Sequence, residues 1–365
     1  MGIFLLLLKN SKNTYTKKDH KSICRFANLP IFLYMETKIS VIGGGSWATA
    51  LVKILTANID QVCWYMRNEQ SIEHIKATKH NPNYLSDVHL NINKLHLTSH
   101  LDEAVAFSDY IIFCIPSAFL SDELSKLTLP LTDKTIFSAI KGIEPKSGLI
   151  VGEYFNKIHH VPYTQIGIIA GPCHAEEVAL ERLSYLTIAC LDEGKARFMA
   201  EAMSRHYVKT KISDDVIGIE YAAMLKNIYA LAAGIAHGLG YGDNFQSVLM
   251  SNAIREMRRY IKHIYKIKRN INNSAYLGDL LVTSYSLFSR NRMFGTMIGK
   301  GYTVKSTMAE MNMVAEGYYA TKSAYLINKN QEKPSRTPIL DAVYKVLYEG
   351  KRAKTEFAEL TAELD

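Results

Sequence analysis

Between residues 38 and 212, short and almost wholly apolar runs alternate with stretches whose apolar residues recur at helical spacing. The runs 38–42, 61–66, 110–115, 135–139, 166–170, 183–190 and 207–212 predict strands. Strands buried on both faces read this way when crossover helices cover a sheet on both sides. The segment therefore predicts an α/β, Rossmann-type doubly wound sheet, mostly parallel. After Ser213 the alternation stops and long helical periods take over, which predicts an all-α C-terminal domain. The expected organisation is a dinucleotide-binding domain over 35–212 and a helical substrate-binding domain over 213–365.

Within the helical part, 216–239 carries Ala222, Ala223, Ala230, Ala232, Ala233, Gly234 and Ala236. Small residues let neighbouring backbones approach closely, so this helix is expected to be central and buried. The basic stretch 255–264 invites an RNA or membrane reading. Ile254, Met257, Ile261 and Ile264 recur there at helical spacing, which instead makes the charges a solvated outer face. Loops are expected at 240–244 and 269–273.

At 365 residues, 48% hydrophobic and 21% charged, the chain reads as soluble and globular with about two domains. Its net charge is +8, but Lys9, Lys12, Lys17, Lys18, Lys21 and Arg25 against Asp19 put +5 in the first 35 residues and leave +3 for the rest. That mild excess fits an anionic small molecule as well as any polyanion, and no nucleic-acid partner is expected. The apolar run Ile3-Phe4-Leu5-Leu6-Leu7-Leu8 is too short to cross a bilayer and follows no basic segment, so neither export nor a transmembrane segment is expected. Met35 stands just before the first strand, and 1–34 is expected to be a poorly ordered extension or a misassigned start. Cys24, Cys63, Cys114, Cys173 and Cys190 are scattered without a C-x-x-C spacing, which points to reduced thiols in a cytoplasm.

The first strand runs into Gly43-Gly44-Gly45-Ser46-Trp47-Ala48. A G-x-G-x-x-[GA] turn between strand and helix needs Gly43 for the bend, Gly45 for close approach of a pyrophosphate and a small residue, Ala48, for packing. The helix that follows offers its N-terminal N–H groups to the anion. About 20 residues on, where an NAD-binding domain places an acid, this chain has Arg67, which suits a 2′-phosphate or adenine and makes NADP a candidate beside NAD. An ordinary surface arginine ending a strand reads the same way. Ile115-Pro116-Ser117, Lys141-Gly142 and Gly171-Pro172-Cys173-His174-Ala175-Glu176-Glu177 each follow a predicted strand and so fall at the carboxyl edge of the sheet, where ligands sit. Cys173-His174 does not make a nucleophile pair or metal site, because adjacent residues rarely converge on one atom and no further ligand spacing accompanies them. Lys226 lies among apolar residues; a desolvated lysine loses proton affinity and can act as a general base, whereas a snorkelling lysine at a helix flank would not. Arg290 beside Asn291 suits a phosphate.

In combination these motifs resemble the bacterial type of NAD(P)-dependent glycerol-3-phosphate dehydrogenase. The resemblance runs from about Lys38 to Leu347, through the glycine turn, Asn81-Pro82-Asn83-Tyr84-Leu85, Ile115-Pro116-Ser117, Lys141-Gly142-Ile143-Glu144, Gly171-Pro172 with Ala175 to Ala179, Leu225-Lys226-Asn227, Gly278-Asp279-Leu280, Ser289-Arg290-Asn291 and Val314-Ala315-Glu316-Gly317. It implies that Lys226 takes the proton from the C2 hydroxyl of sn-glycerol 3-phosphate as hydride passes to nicotinamide, with Lys141 polarising the carbonyl oxygen in reverse. It implies substrate contacts at Lys141, Gly171, Cys173, Lys226, Asn227, Asp279, Thr283, Ser289, Arg290 and Asn291. Cofactor contacts are implied at Gly43, Gly45, Ser46, Trp47, Arg67, Tyr84, Lys141, Ala175, Arg290, Val314 and Glu316. It further implies NADP or NAD without a metal, a homodimer, and reduction feeding phospholipid synthesis.

Three positions depart from the family pattern. Ala48 replaces a commoner glycine, Cys173-His174 stands where a hydroxyl residue and an aromatic are commoner, and Asn252 falls where many members have arginine, with Arg255 one turn on as a candidate replacement. Two rivals remain. Another two-domain dehydrogenase, of 3-hydroxyacid or phosphogluconate type, shares the layout, although Arg290-Asn291 favours a phosphorylated substrate. A dinucleotide-binding sensor would lack the base, yet Lys226 and Lys141 are both present.

Overall fold

The computed structural model describes residues 37–311 and 315–365. Eight strands form one sheet: β1 (Lys38–Ile42), β2 (Gln61–Tyr65), β3 (Leu95–Thr98), β4 (Tyr110–Phe113), β5 (Thr135–Ser138), β6 (Ile166–Ala170), β7 (Ser184–Cys190) and β8 (Val208–Ser213). Their order is β3-β2-β1-β4-β5-β6-β7-β8. All neighbours are parallel except β6 and β7, which pair antiparallel with Gly167 opposite Cys190 and Ala170 opposite Thr187. The chain between them stays at the carboxyl edge, bent by the five-residue helix Ala175–Ala179 and a left-handed Glu181 (φ 56°), so it returns instead of crossing over. The switch in strand order falls between β1 and β4, the place where open sheets of this kind leave a crevice for ligands. The expected extension 1–34 and the expected contact Val314 lie outside the described residues.

The central strands are buried on both faces, as their composition predicts. Ile111 and Phe113 of β4 enter the core on one side of the sheet, and Ile112 enters the core on the other. The first of these cores continues without a break into the helical part through Met224, Leu225 and Ile228. One strand, β3, is not foreseen. It has four residues, forms the sheet edge and is only partly buried, so its apolar signal is weak.

Beyond Ser213 the described elements are helical. The helix Val216–Gly238 is almost wholly buried; by length and composition it could cross a membrane, but 94% of its most apolar window is inside the fold. Its small residues have a specific use. A Cβ on Gly234 would fall 2.1 Å from the Arg292 carbonyl oxygen, and one on Gly295 would fall 2.2 Å from that of Leu231, so this helix and the helix Arg290–Gly299 touch backbone to backbone. On the helix Asp243–Ile264, Met257 and Ile261 are buried while Arg255, Arg258, Arg259 and Lys262 face solvent, which is the expected amphipathic division. Asp243 and Asn244 begin this helix and do not extend the preceding loop. Glu256 breaks the pattern: it is buried and accepts the Ile339 and Leu340 N–H groups at 2.9 and 3.0 Å, closing the first turn of the helix Pro338–Tyr348.

Candidate active site

The glycine turn is built for close approach. Gly43 has φ +133°, and a Cβ there would lie 2.3 Å from the Cys114 carbonyl oxygen, so only glycine fits between β1 and the end of β4. Its carbonyl accepts the indole N–H of Trp64 at 2.6 Å and its N–H donates to Tyr65 O at 3.1 Å. A Cβ on Gly45 would meet nothing within 4 Å, which leaves the backbone there open to a ligand. The helix Ser46–Asn58 starts next, with no side-chain cap on its first N–H groups and no acid in its first turn. These are the properties an anionic pyrophosphate needs. Asn81 ties the turn to the loop bearing Tyr84: its Nδ2 donates to Thr49 Oγ1 at 2.9 Å, and its Oδ1 accepts the Tyr84 N–H at 3.2 Å. Arg67 is exposed just past the end of β2, and Ala175 is buried at the start of its short helix.

The loops after β5 and β6 and the helix Val216–Gly238 bring a second set of groups together. Lys226 donates to Asp279 Oδ1; the two side chains are only 3% and 1% exposed. Asp279 Oδ2 is buried and has no hydrogen-bond partner. Thr283 turns its hydroxyl back to the Asp279 carbonyl at 2.6 Å. Burial pushes the Lys226 ammonium down to about 8; the Asp279 carboxylate opposes the shift, and the Lys141 charge adds to it. Burial also works against the charge of Lys141, but the Asp279 carboxylate leads the contributions that raise that ammonium overall. The Lys141 ammonium stands 5.9 Å from the centre of the Trp47 ring, and Asn227 Nδ2 holds the Lys141 carbonyl at 3.2 Å. Trp47 Nε1 is buried without a partner.

Cys173 is buried, with its thiol directed to the Gly171 carbonyl at 3.3 Å. Burial raises that thiol to about 11, so it is neutral and no nucleophile near pH 7. Burial and then the Lys141 and Lys226 charges lower His174 to about 4, which leaves a neutral imidazole.

At the other end of the site, Ser289 is the N-cap of the helix Arg290–Gly299 and accepts the Arg292 N–H at 3.3 Å. Arg290 is exposed, Asn291 is buried, and the Asn291 carbonyl oxygen of the side chain accepts the Gly317 N–H at 2.9 Å. Arg255, the candidate replacement phosphate group, pairs on the surface with Asp365. Its guanidinium takes both carboxylate oxygens of Asp365 at 2.7 Å, and Asn252 donates to the Asp365 carbonyl at 2.9 Å. Ser117, which the sequence marks only as part of a motif, donates to Glu316.

Two family models, the N- and C-terminal parts of one enzyme, cover most of the described chain. The N-terminal part of NAD-dependent glycerol-3-phosphate dehydrogenase matches residues 38–196, and the C-terminal part matches residues 215–358. The chain is 36% identical over 324 residues to a glycerol-3-phosphate dehydrogenase [NAD(P)+] of Exiguobacterium sp., covering 88% of this chain and 94% of that protein. It is 34% identical over 327 residues to the protein of that name from Bacillus subtilis, covering 89% and 94%. The crystal structure of glycerol-3-phosphate dehydrogenase from Coxiella burnetii shares the fold with a TM-score of 0.81 at 24% identity, over 89% of this chain and 99% of that one.

Proposed function

This chain belongs to the NAD-dependent glycerol-3-phosphate dehydrogenase family, and from that premise we propose how its residues divide the work. The enzyme interconverts glycerol 3-phosphate and dihydroxyacetone phosphate with NAD(P)(H). The sheet part, to about residue 212, holds the dinucleotide, and the helical part holds the substrate. The open backbone at Gly45, the uncapped helix start at Ser46 and the orphaned Trp47 N–H suit the cofactor, with its pyrophosphate at Gly43 to Trp47 and its adenine end near Tyr84 and Arg67. When bound, the nicotinamide supplies or accepts the hydride.

The proton is the task of this chain. Arg290 and Asn291 grip the phosphate, which directs the C2 oxygen into the cluster of Lys226, Asp279 and Lys141. In oxidation the neutral Lys226 amine takes the hydroxyl proton; in reduction its ammonium returns one to the same oxygen. Lys141 keeps its charge and stabilises the negative charge that grows there. Asp279 holds Lys226 through Oδ1 and has Oδ2 free to accept a substrate hydroxyl.

The observation that carries this assignment is the buried Lys226, brought down to about 8 beside a carboxylate with one oxygen unused. NADH and NADPH oxidation with dihydroxyacetone phosphate, followed for the native chain and Lys226→Ala, tests it. Turnover by the native chain and its loss in the variant are expected; undiminished turnover by the variant would defeat it. We place the enzyme in the cytoplasm, as a homodimer working towards glycerol 3-phosphate for phospholipid synthesis. The free Cys63, Cys114, Cys173 and Cys190 fit a reducing compartment.

A further inference from the structure

Ser117 is a buried polar residue to which none of the steps above gives a part. It is 1% exposed and follows β4 at the switch point of the sheet. Its hydroxyl donates to Glu316 Oε2 at 2.6 Å and its backbone N–H donates to Glu316 Oε1 at 3.2 Å, so one serine satisfies both oxygens of a carboxylate 199 residues away. The peptide after Lys141 nests against this pair. A Cβ on Gly142 would fall 2.8 Å from Glu316 Oε2 and 2.8 Å from Ser117 Oγ, so no other residue brings that turn so close. On the far side, Gly317 donates its N–H to Asn291 Oδ1 at 2.9 Å, and Asn227 holds the Lys141 carbonyl at 3.2 Å. A single carboxylate therefore joins the loop after β4, the Lys141-Gly142 turn after β5 and, through the next peptide, the asparagine beside Arg290.

We propose that Ser117 is a positioning residue: by clasping Glu316 it fixes the Lys141 turn and the Asn291 amide relative to each other without itself touching substrate. The assignment rests on the roles given above to Lys141 and Asn291. Its physical basis is that hydrogen bonds to a charged acceptor are about twice as strong as neutral ones. Glu316, a partly buried carboxylate, keeps the Ser117 N–H when the hydroxyl is removed but loses its shorter bond, and with it the fixed point on which the Lys141 turn and the Asn291 amide are aligned. Small displacements of groups that align a substrate are costly, with about 1 Å enough to lose on the order of a hundredfold in rate.

Ser117→Ala, Glu316→Ala and the double variant form a cycle that tests this, read on kcat/KM for dihydroxyacetone phosphate and on NADPH affinity by fluorescence titration, with thermal unfolding followed for each. Ser117→Ala should lower kcat/KM about tenfold in the native chain and by less than about twofold in the Glu316→Ala background, because the serine acts only through that carboxylate. The same coupling is expected in NADPH affinity. Equal losses in both backgrounds, or no loss in the native chain, would overturn the proposal, as would a lowered unfolding temperature with unchanged kcat/KM. If the native chain fails to reduce dihydroxyacetone phosphate, the substrate assignment falls, and the coupling in NADPH affinity still decides the clasp.

Discussion

Lys226 and Asp279 form a buried ion pair between residues 53 apart in the chain, and only one carboxylate oxygen takes part in it. The pair sets the pH range over which the rates in the two directions change. Because the Lys226 ammonium titrates near 8, glycerol 3-phosphate oxidation, which needs the free amine, should rise with pH and level off above about 8. Reduction, which needs the ammonium, should fall over the same range. Asp279→Asn removes the charge that opposes burial, so both midpoints should move to lower pH. Initial rates in each direction across about pH 6 to 10 measure this; midpoints that stay put would detach Asp279 from the titration.

Lys141 is held on three sides, by the Trp47 ring, by Asn227 at its carbonyl and by the packing of Gly142. Lys141→Ala should lower kcat on the order of a hundredfold or more, the cost of losing one preorganised charge at a developing oxyanion. Lys141→Arg should not restore it, since a planar guanidinium cannot take the place of a compact ammonium. Steady-state rates with dihydroxyacetone phosphate compare the two, and activity in the arginine variant near the native value would argue for a role of charge alone.

Replacing a helical glycine by alanine ordinarily stabilises a helix by about 1 kcal/mol. At Gly295 the sign should reverse. The new Cβ would fall 2.2 Å from the Leu231 carbonyl oxygen, backbone that cannot step aside, so Gly295→Ala should cost about 1–3 kcal/mol or more in urea unfolding. A gain in stability would mean that the two helices are free to separate.

Glu256 lends the fold an unusual pH dependence. Burial raises its carboxyl from the ordinary 4.5 to about 8, so over this interval the folded chain holds a proton that the unfolded chain gives up. Stability should therefore be greatest at the acid end and decline as pH rises from about 4.5 to about 8, then level off. Glu220, buried against the Gly152 N–H and likewise raised to about 8, adds to the same slope. Glu256→Gln should reduce the fall in unfolding temperature across this range by at least about 2 °C. Calorimetry at several pH values decides it, and an unchanged slope would assign the proton elsewhere.

The legible parts of this protein were those in which one residue type has one use. A glycine at +133° between a strand and a helix, or a lysine alone among alanines and leucines, announces itself. Glu256 does not, because it lies in a run of exposed charges and differs from its neighbours only in facing inwards. Nor does the clasp of Ser117 on Glu316, since nothing local marks two polar residues that the fold brings together from 199 positions apart. Arg255 shows a limit of spacing alone: its place one turn from Asn252 suggests a substitute phosphate group, whereas in the structure its guanidinium pairs with Asp365. β3 does not stand out, because an edge strand of four residues, of which Thr98 alone is buried, has too little apolar content.

The contact between the helices Val216–Gly238 and Arg290–Gly299 also fixes a length. Lys226 rides on one and Asn291 on the other, and where two backbones touch, no repacking of side chains can slide them apart. A molecule that must offer its carbinol carbon to the first and its phosphate to the second is gauged by main chain, much as a caliper gauges a rod. Selectivity for a three-carbon phosphate over longer homologues would then reside in four glycines of the helix contact, Gly234, Gly238, Gly295 and Gly299.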